Sequence, residues 1–248
     1  MPGAGARQLH KYIRKNPELD SQLLGLGKHK FESICHNHGM RISARRYIPK
    51  TTVHGDYTFS NKISGSTIYD INKVFVSDIC YLFGVYGNLI GYATTCIDVY
   101  SRYLLGLVFS RTMKAVDTVH PVLKQAYKKR KVKVFENTYF HSDQGRQYIE
   151  KNFIKSLRKK NIESSMGKSC YENPFAESFN DTLKNHMLIE YNFDNFKQLK
   201  RKEQFIKYAY NNNKTHSSIG DITPAQFEQD LLSLELKNRI GLKMKTID

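Results

Sequence analysis

Three stretches rich in Val, Ile, Leu, Phe and Tyr, at 73–82, 88–98 and 103–110, follow one another with only a few residues between them. β-Branched and aromatic residues of this kind favour extended chain. Connections this short cannot carry a crossover, so the three stretches predict an antiparallel meander. Turns fall at Gly84 to Gly87 and at Tyr100-Ser101-Arg102. The period then changes. Residues 112–130 predict a helix with Val116, Val119, Leu123 and Tyr127 on one face. A fourth strand is predicted over 133–140, closing on His141-Ser142-Asp143 before a tight turn at Gly145. Residues 146–160 predict a helix with Tyr148, Ile149, Phe153, Ile154 and Leu157 turned inward, and 162–165 a short fifth strand. After a loop at 167–170, Asn173 suits a helix N-cap and Pro174 the first helical position. That helix runs through Glu177 to about His186, and a last one covers roughly 195–212.

Three strands, a helix, a strand and then helices is the order of an RNase H-like α/β domain. It implies a mixed five-stranded sheet flanked by helices, with the first and fourth strands as neighbours. Upstream, residues 1–71 are polar and basic. Helices are predicted over 6–14 and 28–38, the second carrying Phe31, Ile34 and Cys35 and stopped by Gly39. A basic linker over 41–71 follows, with Arg41, Arg45, Arg46, Lys50 and Lys62. The chain thus divides into a helical N-terminal extension and linker (1–71), a catalytic core (72–190) and a C-terminal helical extension (191–248).

Lys and Arg number 39 against 23 Asp and Glu, a formal charge of +16 spread along the chain. Such a surplus is an electrostatic footprint for nucleic acid. There is no apolar run long enough to span a bilayer and no signal-peptide pattern, so no membrane partner is expected. Four cysteines without CxxC spacing fit a reducing cytoplasm. Cys35, His36, His38 and His29 cluster, but the second cysteine pair of a zinc knuckle is missing.

Within this basic chain three acids sit on separate elements: Asp78 on the first strand, Asp143 just past the fourth, and Glu177 on a helix. Neighbouring strands bring the two aspartates together, and a helix packed beside the sheet lets Glu177 close the triangle. Several anionic oxygens at one point are what two divalent ions a few ångströms apart require for phosphodiester chemistry. Each acid has a plainer reading. A strand-end aspartate can be structural, and Asp143 can merely cap a turn. Asp98 competes with Asp78, with turn capping or pairing to Arg102 as its alternative role. Glu172 competes with Glu177, but five helical residues put the two about 140° apart. Lys184 shares the face of Glu177, where it either pairs with Asp181 or contacts a phosphate or base.

Taken together these motifs resemble the catalytic subunit of bacterial insertion-sequence transposases, relatives of retroviral integrases. Val76-Ser77-Asp78-Ile79-Cys80-Tyr81 is similar to the family's first-aspartate motif. His141-Ser142-Asp143-Gln144-Gly145-Arg146-Gln147-Tyr148 resembles the second, and 171–179 around Glu177 the third. Tyr210-Asn211, Thr215-His216-Ser217-Ser218-Ile219-Gly220 and Thr223-Pro224 resemble the C-terminal signature. The chain departs from the pattern at Phe75, where the family has Trp, and at Lys214 and Thr215, where it has Arg and Pro. The interval from Asp143 to Glu177 is also shorter than in many relatives. The resemblance implies an Asp-Asp-Glu recombinase in which Asp78, Asp143 and Glu177 are catalytic and hold two Mg²⁺, with Mn²⁺ able to substitute. It implies DNA cleavage and strand transfer of a mobile element, with element ends and target DNA as partners and a homo-oligomer assembled on them. DNA contacts are expected from Lys184, Gln147, Arg146, Arg45 and Arg46. Two other classes remain open at this point: an inactive DNA-binding regulator of transposition, and a metal-dependent RNase H-like nuclease.

Overall fold

Two short helices, α1 (Ala6–Lys15) and α2 (Lys28–Asn37), pack against each other through Ile13, Phe31 and Cys35. The structure is a computed structural model that describes residues 5–16, 18, 25–40, 59–84, 87–168, 170–188, 193 and 195–246. Gly39, at φ 71°, turns the chain out of α2 where a side chain would be strained. Most of the basic linker, including Arg41, Arg45, Arg46 and Lys50, lies outside the described residues. Its described end joins the core, where Ile63 and Ile68 are buried. There β1 (Thr67–Ile68) pairs with a strand near the C-terminus, a contact between segments too distant for local pattern to show.

The meander forms as composition predicts: β2 (Val74–Phe83), β3 (Leu89–Asp98) and β4 (Leu104–Ser110) pair antiparallel in turn. The next helix, α3 (Val119–Arg130), is shorter than expected. Residues 115–117 form a 3-10 turn that leaves Val116 exposed, and Val119, Val122, Leu123 and Ala126 make the buried face. Pro121 explains the late start, because proline lacks an N–H and fits only the first turn of a helix. The fourth expected strand also begins late. Asn137 is left-handed at φ 50°, so residues 133–137 stay irregular and β5 (Thr138–Ser142) follows.

The helix expected over 146–160 is broken. A 3-10 turn at Arg146–Ile149 precedes α4 (Lys151–Arg158), and extended Glu150 stands between them. Its carboxylate accepts from the N–H groups of Asn152 and Phe153, so Glu150 acts as an N-cap. Strand β6 (Ile162–Met166) completes the sheet, and α5 (Pro174–Thr182) follows, ending in a π-helical turn at Leu183–Met187. The last expected helix is two, α6 (Phe196–Arg201) and α7 (Glu203–Asn212). Beyond them lie α8 (Pro224–Leu231), not anticipated as a helix, and β7 (Leu242–Lys243), the partner of β1.

The sheet order is β4-β3-β2-β5-β6, with β2–β5 and β5–β6 parallel. This is the mixed five-stranded sheet that the element order implied. Helices cover both faces, so the strands are buried on two sides. Phe75, Cys96, Leu105 and Val108 pack under α3 and α4, while Val76, Cys80, Ile97 and Leu107 pack under α5, α7 and α8. Among the described residues no helix is long and apolar enough to cross a membrane.

Side chains of α3, α6 and α7 close the outer edge of β4. Asn211 accepts from the Leu104 N–H at 2.8 Å and donates to its carbonyl at 3.0 Å. Gln125 does the same for Leu107 at 3.2 and 3.0 Å. Glu203 accepts from the Phe109 N–H at 2.8 Å, and Lys200 donates to the Phe109 carbonyl at 3.1 Å. An open edge is a template for pairing with another chain; here α3, α6 and α7 stand in for a further strand. Arg130 then links Asp98 of β3 to Glu228 of α8 at 2.8 and 2.7 Å.

Candidate active site

The strand register puts the two aspartates side by side. Phe75 is level with Phe140 and Val76 with His141 in the parallel β2–β5 pair. Two residues further along both chains come Asp78 and Asp143, and a two-residue step returns to the same face. That face carries Val76, Cys80 and Leu82 and is covered by α5. Asp143 is held in a turn, its Oδ1 accepting from the Gly145 N–H at 3.0 Å. A Cβ on Gly145 would sit 3.0 Å from that same oxygen, so glycine keeps the turn open.

Helix α5 is fixed to β2 at two points. Asn173 donates to the Ser77 carbonyl at 3.0 Å, and Asn180 donates to Asp78 Oδ2 at 2.5 Å. Residues 173, 177 and 180 recur at i, i+4 and i+7, one face of a helix. Glu177 therefore faces β2 between two anchoring asparagines. Asn173 does occupy the N-cap position, but its side chain makes no cap bond and reaches the strand instead.

Electrostatics report the same convergence. Burial raises the Asp78 carboxyl, and the charges of Asp143 and Glu177 push it further, to about 7. Asp78 forms no ion pair among the described residues. Lys184 belongs to the same neighbourhood. Its ammonium favours the Cys80 thiolate while Asp78 and Glu177 oppose it, and burial, the largest influence, holds that thiol at about 12. Lys184 does not pair with Asp181, which accepts from Asn185 and faces His186.

The rival acids have other work. Asp98 is fully buried and accepts from the N–H groups of Asn72, Tyr100 and Ser101 as well as from Arg130. The turn-capping role is as expected, but its cation is Arg130, not Arg102. Arg102 instead donates to Ser218 and lies 4.1 Å above the Phe175 ring. Glu172 clasps the loop before α5, accepting from Asn61 at 2.6 Å and from the Lys168 N–H at 2.9 Å.

Asn180, Asn173 and His141 were not among the site residues that the sequence marked. His141 lies 2.9 Å from Ser165 through Nδ1 and 3.1 Å from the Glu172 carbonyl through Nε2. A carbonyl only accepts, so Nε2 carries the proton. Burial holds the ring neutral, at about 4. It ties the end of β5 to the turn that launches α5. The heptad-like spacing of Asn173, Glu177 and Asn180 was the available signal for the other two.

Arg146 and Gln147 follow Asp143 in the 3-10 turn, with Arg146 exposed. Arg45 and Arg46 lie outside the described residues. Among the described residues no three His, Cys, Asp or Glu side chains are close enough together to form a ready-made metal cage.

An integrase core domain family matches residues 69–170, and a second integrase core domain family matches residues 158–224. The transposase for insertion sequence element IS904 of Lactococcus lactis subsp. lactis (strain IL1403) is 30% identical over 163 residues, 64% of this chain and 62% of that protein. Transposase InsF for insertion sequence IS3A of Escherichia coli (strain K12) is 29% identical over 166 residues, 65% of this chain and 56% of that protein. The chain therefore spans less than two thirds of the length of these relatives. In three dimensions it is similar to a chain of the simian T-cell lymphotropic virus intasome, solved with the PP2A regulatory subunit B56 gamma. The TM-score is 0.50 at 13% identity, covering 90% of this chain and 73% of that one, a likeness of fold. Two overlapping integrase core domain matches thus span residues 69–224, on an RNase H-like sheet, and the chain is similar in sequence to insertion-sequence transposases.

Proposed function

We propose that this chain catalyses DNA cleavage and strand transfer for a mobile element, with Asp78, Asp143 and Glu177 as its catalytic and metal-holding residues. The observation that carries the reading is the β2–β5 register, which brings Asp78 level with Asp143 beneath the helix that bears Glu177 and is tied to Asp78 by Asn180; the direction of the Asp78 shift agrees with it. Hard carboxylate oxygens suit Mg²⁺, with Mn²⁺ able to replace it, and such an ion keeps waters and takes substrate phosphate oxygens as further ligands. Two divalent ions, when bound, supply Lewis-acid activation of the attacking oxygen and stabilisation of the leaving one.

The protein's own groups do the rest. Asp78 projects from β2, and Asp143 stands one residue past the end of neighbouring β5, in a turn braced by its bond to the Gly145 N–H. Asn180 fixes the orientation of the Asp78 carboxylate, and Asn173 fixes the helix that presents Glu177. Lys184, Arg146 and Gln147 would hold phosphates beside the acids, and Arg45 and Arg46 are assigned to the same task from sequence. In this reading residues 72–190 carry the chemistry, flanked by 1–71 and 191–248. The partners are element ends and target DNA, with a homo-oligomer assembling on them because two ends must be joined together.

The test is a strand-transfer assay on the element's own terminal DNA with Mg²⁺. Wild type should expose a 3′-hydroxyl and join it to a second duplex. Asp78→Asn, Asp143→Asn and Glu177→Gln should each lose roughly 10³-fold or more, as expected when several kcal/mol of transition-state stabilisation are removed. Binding without cleavage by wild type would favour a regulator, and cutting of RNA–DNA hybrids without joining would favour a nuclease.

A further inference from the structure

Helix α4 presents a row of cations outside the carboxylate site. Lys151, Lys155, Arg158 and Lys159 are all exposed and line a shallow groove of about 640 Å³ with Ile149 and Ile154. None of the four forms an ion pair among the described residues. Glu150, the α4 N-cap, is engaged by the helix N-terminus and His120, and Glu163 of adjoining β6 by Lys62. Four positive charges along one short helix thus go uncompensated among the described residues.

Spacing fits a polyanion. Lys151, Lys155 and Arg158 stand at i, i+4 and i+7, so they spread over roughly 10 Å of helix. Phosphates along one strand of duplex DNA recur about every 3.4 Å of axis, so the row matches about three of them. α4 starts eight residues after Asp143, with exposed Arg146 between them, and packs on the sheet face opposite α5.

Three of the four cations are lysines, point charges suited to phosphate oxygens, and phosphate contacts carry no base identity. The polar side chains that could read a base from this helix are occupied: the Asn152 amide donates to Glu150, and the Ser156 hydroxyl donates to the Asn152 carbonyl. A track built mainly of phosphate-contacting lysines suits DNA whose sequence need not be recognised.

We infer that the α4 groove binds the phosphate backbone of target DNA. The inference rests on the transposase reading for the word target, and on the groove's own charge for the word DNA.

The experiment uses the full chain and a triple variant, Lys151→Gln/Lys155→Gln/Arg158→Gln. Binding to a random-sequence duplex is titrated with salt. The slope of log K against log salt should fall by about three units, at about 0.9 per lost phosphate contact. Hydrolysis of element-end DNA should continue, while strand transfer from pre-cleaved ends into plasmid should drop at least about tenfold. The charge-preserving Lys151→Arg/Lys155→Arg variant should keep both slope and transfer. An unchanged slope in the triple variant, with an unchanged thermal midpoint, overturns the groove as a DNA site. Loss of hydrolysis in step with transfer overturns the target assignment, because the groove would then hold the element end. Should wild type neither cleave nor join, the transposase reading fails, while the salt slope still decides for or against the groove.

Discussion

The side-chain amide of Asn180 donates to Asp78 Oδ2 across 2.5 Å, joining the helix that carries Glu177 to the central strand. Its own carbonyl oxygen is buried, with no hydrogen-bond partner among the described residues. A buried acceptor left open has a desolvation cost. The bond also opposes the influences that raise the Asp78 carboxyl. Asn180 thus makes Asp78 more able to hold a cation and fixes where its oxygens point.

Asn180→Ala should therefore lower the rate of element-end cleavage by about 10- to 100-fold, the range for groups that orient metal-holding residues. The rate-versus-pH profile should also move to higher pH, since Asp78 loses a bond that favours its charged form. A rate loss with an unmoved pH profile would show that Asn180 only supports the helix.

Asp78 should cost stability in the metal-free protein. Its folded-state value of about 7 lies above the ordinary 3.8. A group raised in this way contributes stability that is complete below the unfolded value and is lost as pH rises through the folded one. Each tenfold change in proton affinity is worth about 1.4 kcal/mol, so by pH 8 the loss is at most on the order of 4 kcal/mol. Asp78→Asn should then raise the thermal midpoint of the metal-free protein at pH 8 and leave it little changed at pH 4. Mn²⁺ should raise the wild-type midpoint and leave Asp143→Asn nearly unaffected. The reverse order of midpoints at pH 8 would contradict the crowding of charge at this position.

Asn211 is expected to matter for folding although it is remote from the carboxylates. Asn211→Leu would leave the N–H and carbonyl of Leu104 buried and unpaired. At about 1–3 kcal/mol for each such group, the variant should lose on the order of 2–4 kcal/mol in urea unfolding. A change below about 0.5 kcal/mol would mean that the β4 edge does not depend on this amide.

His216 should make the protein sensitive to acid. Burial lowers its value to about 3, and the nearby charges of Lys214 and Arg102 act in the same direction. The folded state then holds fewer protons than the unfolded one between the ordinary value of 6.5 and about 3, so stability falls as pH drops through that window. The slope is up to about 1.4 kcal/mol per pH unit. His216→Phe should flatten the dependence of unfolding free energy on pH below about 6.5. An identical slope in both proteins would assign the acid sensitivity elsewhere.

The three meander strands were legible because each is a dense run of β-forming residues with short turns, and the aspartates were legible as acids inside such a run (Asp78) or just past one (Asp143). The Asn173-Pro174 start of α5 was legible for a local reason, proline at the first helical position. What local pattern missed depends on distant partners or on single backbone positions. Glu150 breaks the expected helix by capping α4, which its sequence neighbours do not reveal. Asn137 shortens β5 by adopting a left-handed turn. Asn211, Gln125 and Glu203 look like ordinary helical polar residues until β4 lies against them. Asp98 found its cation in Arg130 on α3, whereas the nearer Arg102 turned toward Ser218 and Phe175.

The most direct measurement is anomalous diffraction from crystals of the full chain soaked in Mn²⁺. Two peaks should appear a few ångströms apart, with oxygens of Asp78, Asp143 and Glu177 at about 2.0–2.2 Å. Manganese bound elsewhere, or bound at this place without Glu177 among its ligands, would contradict the account.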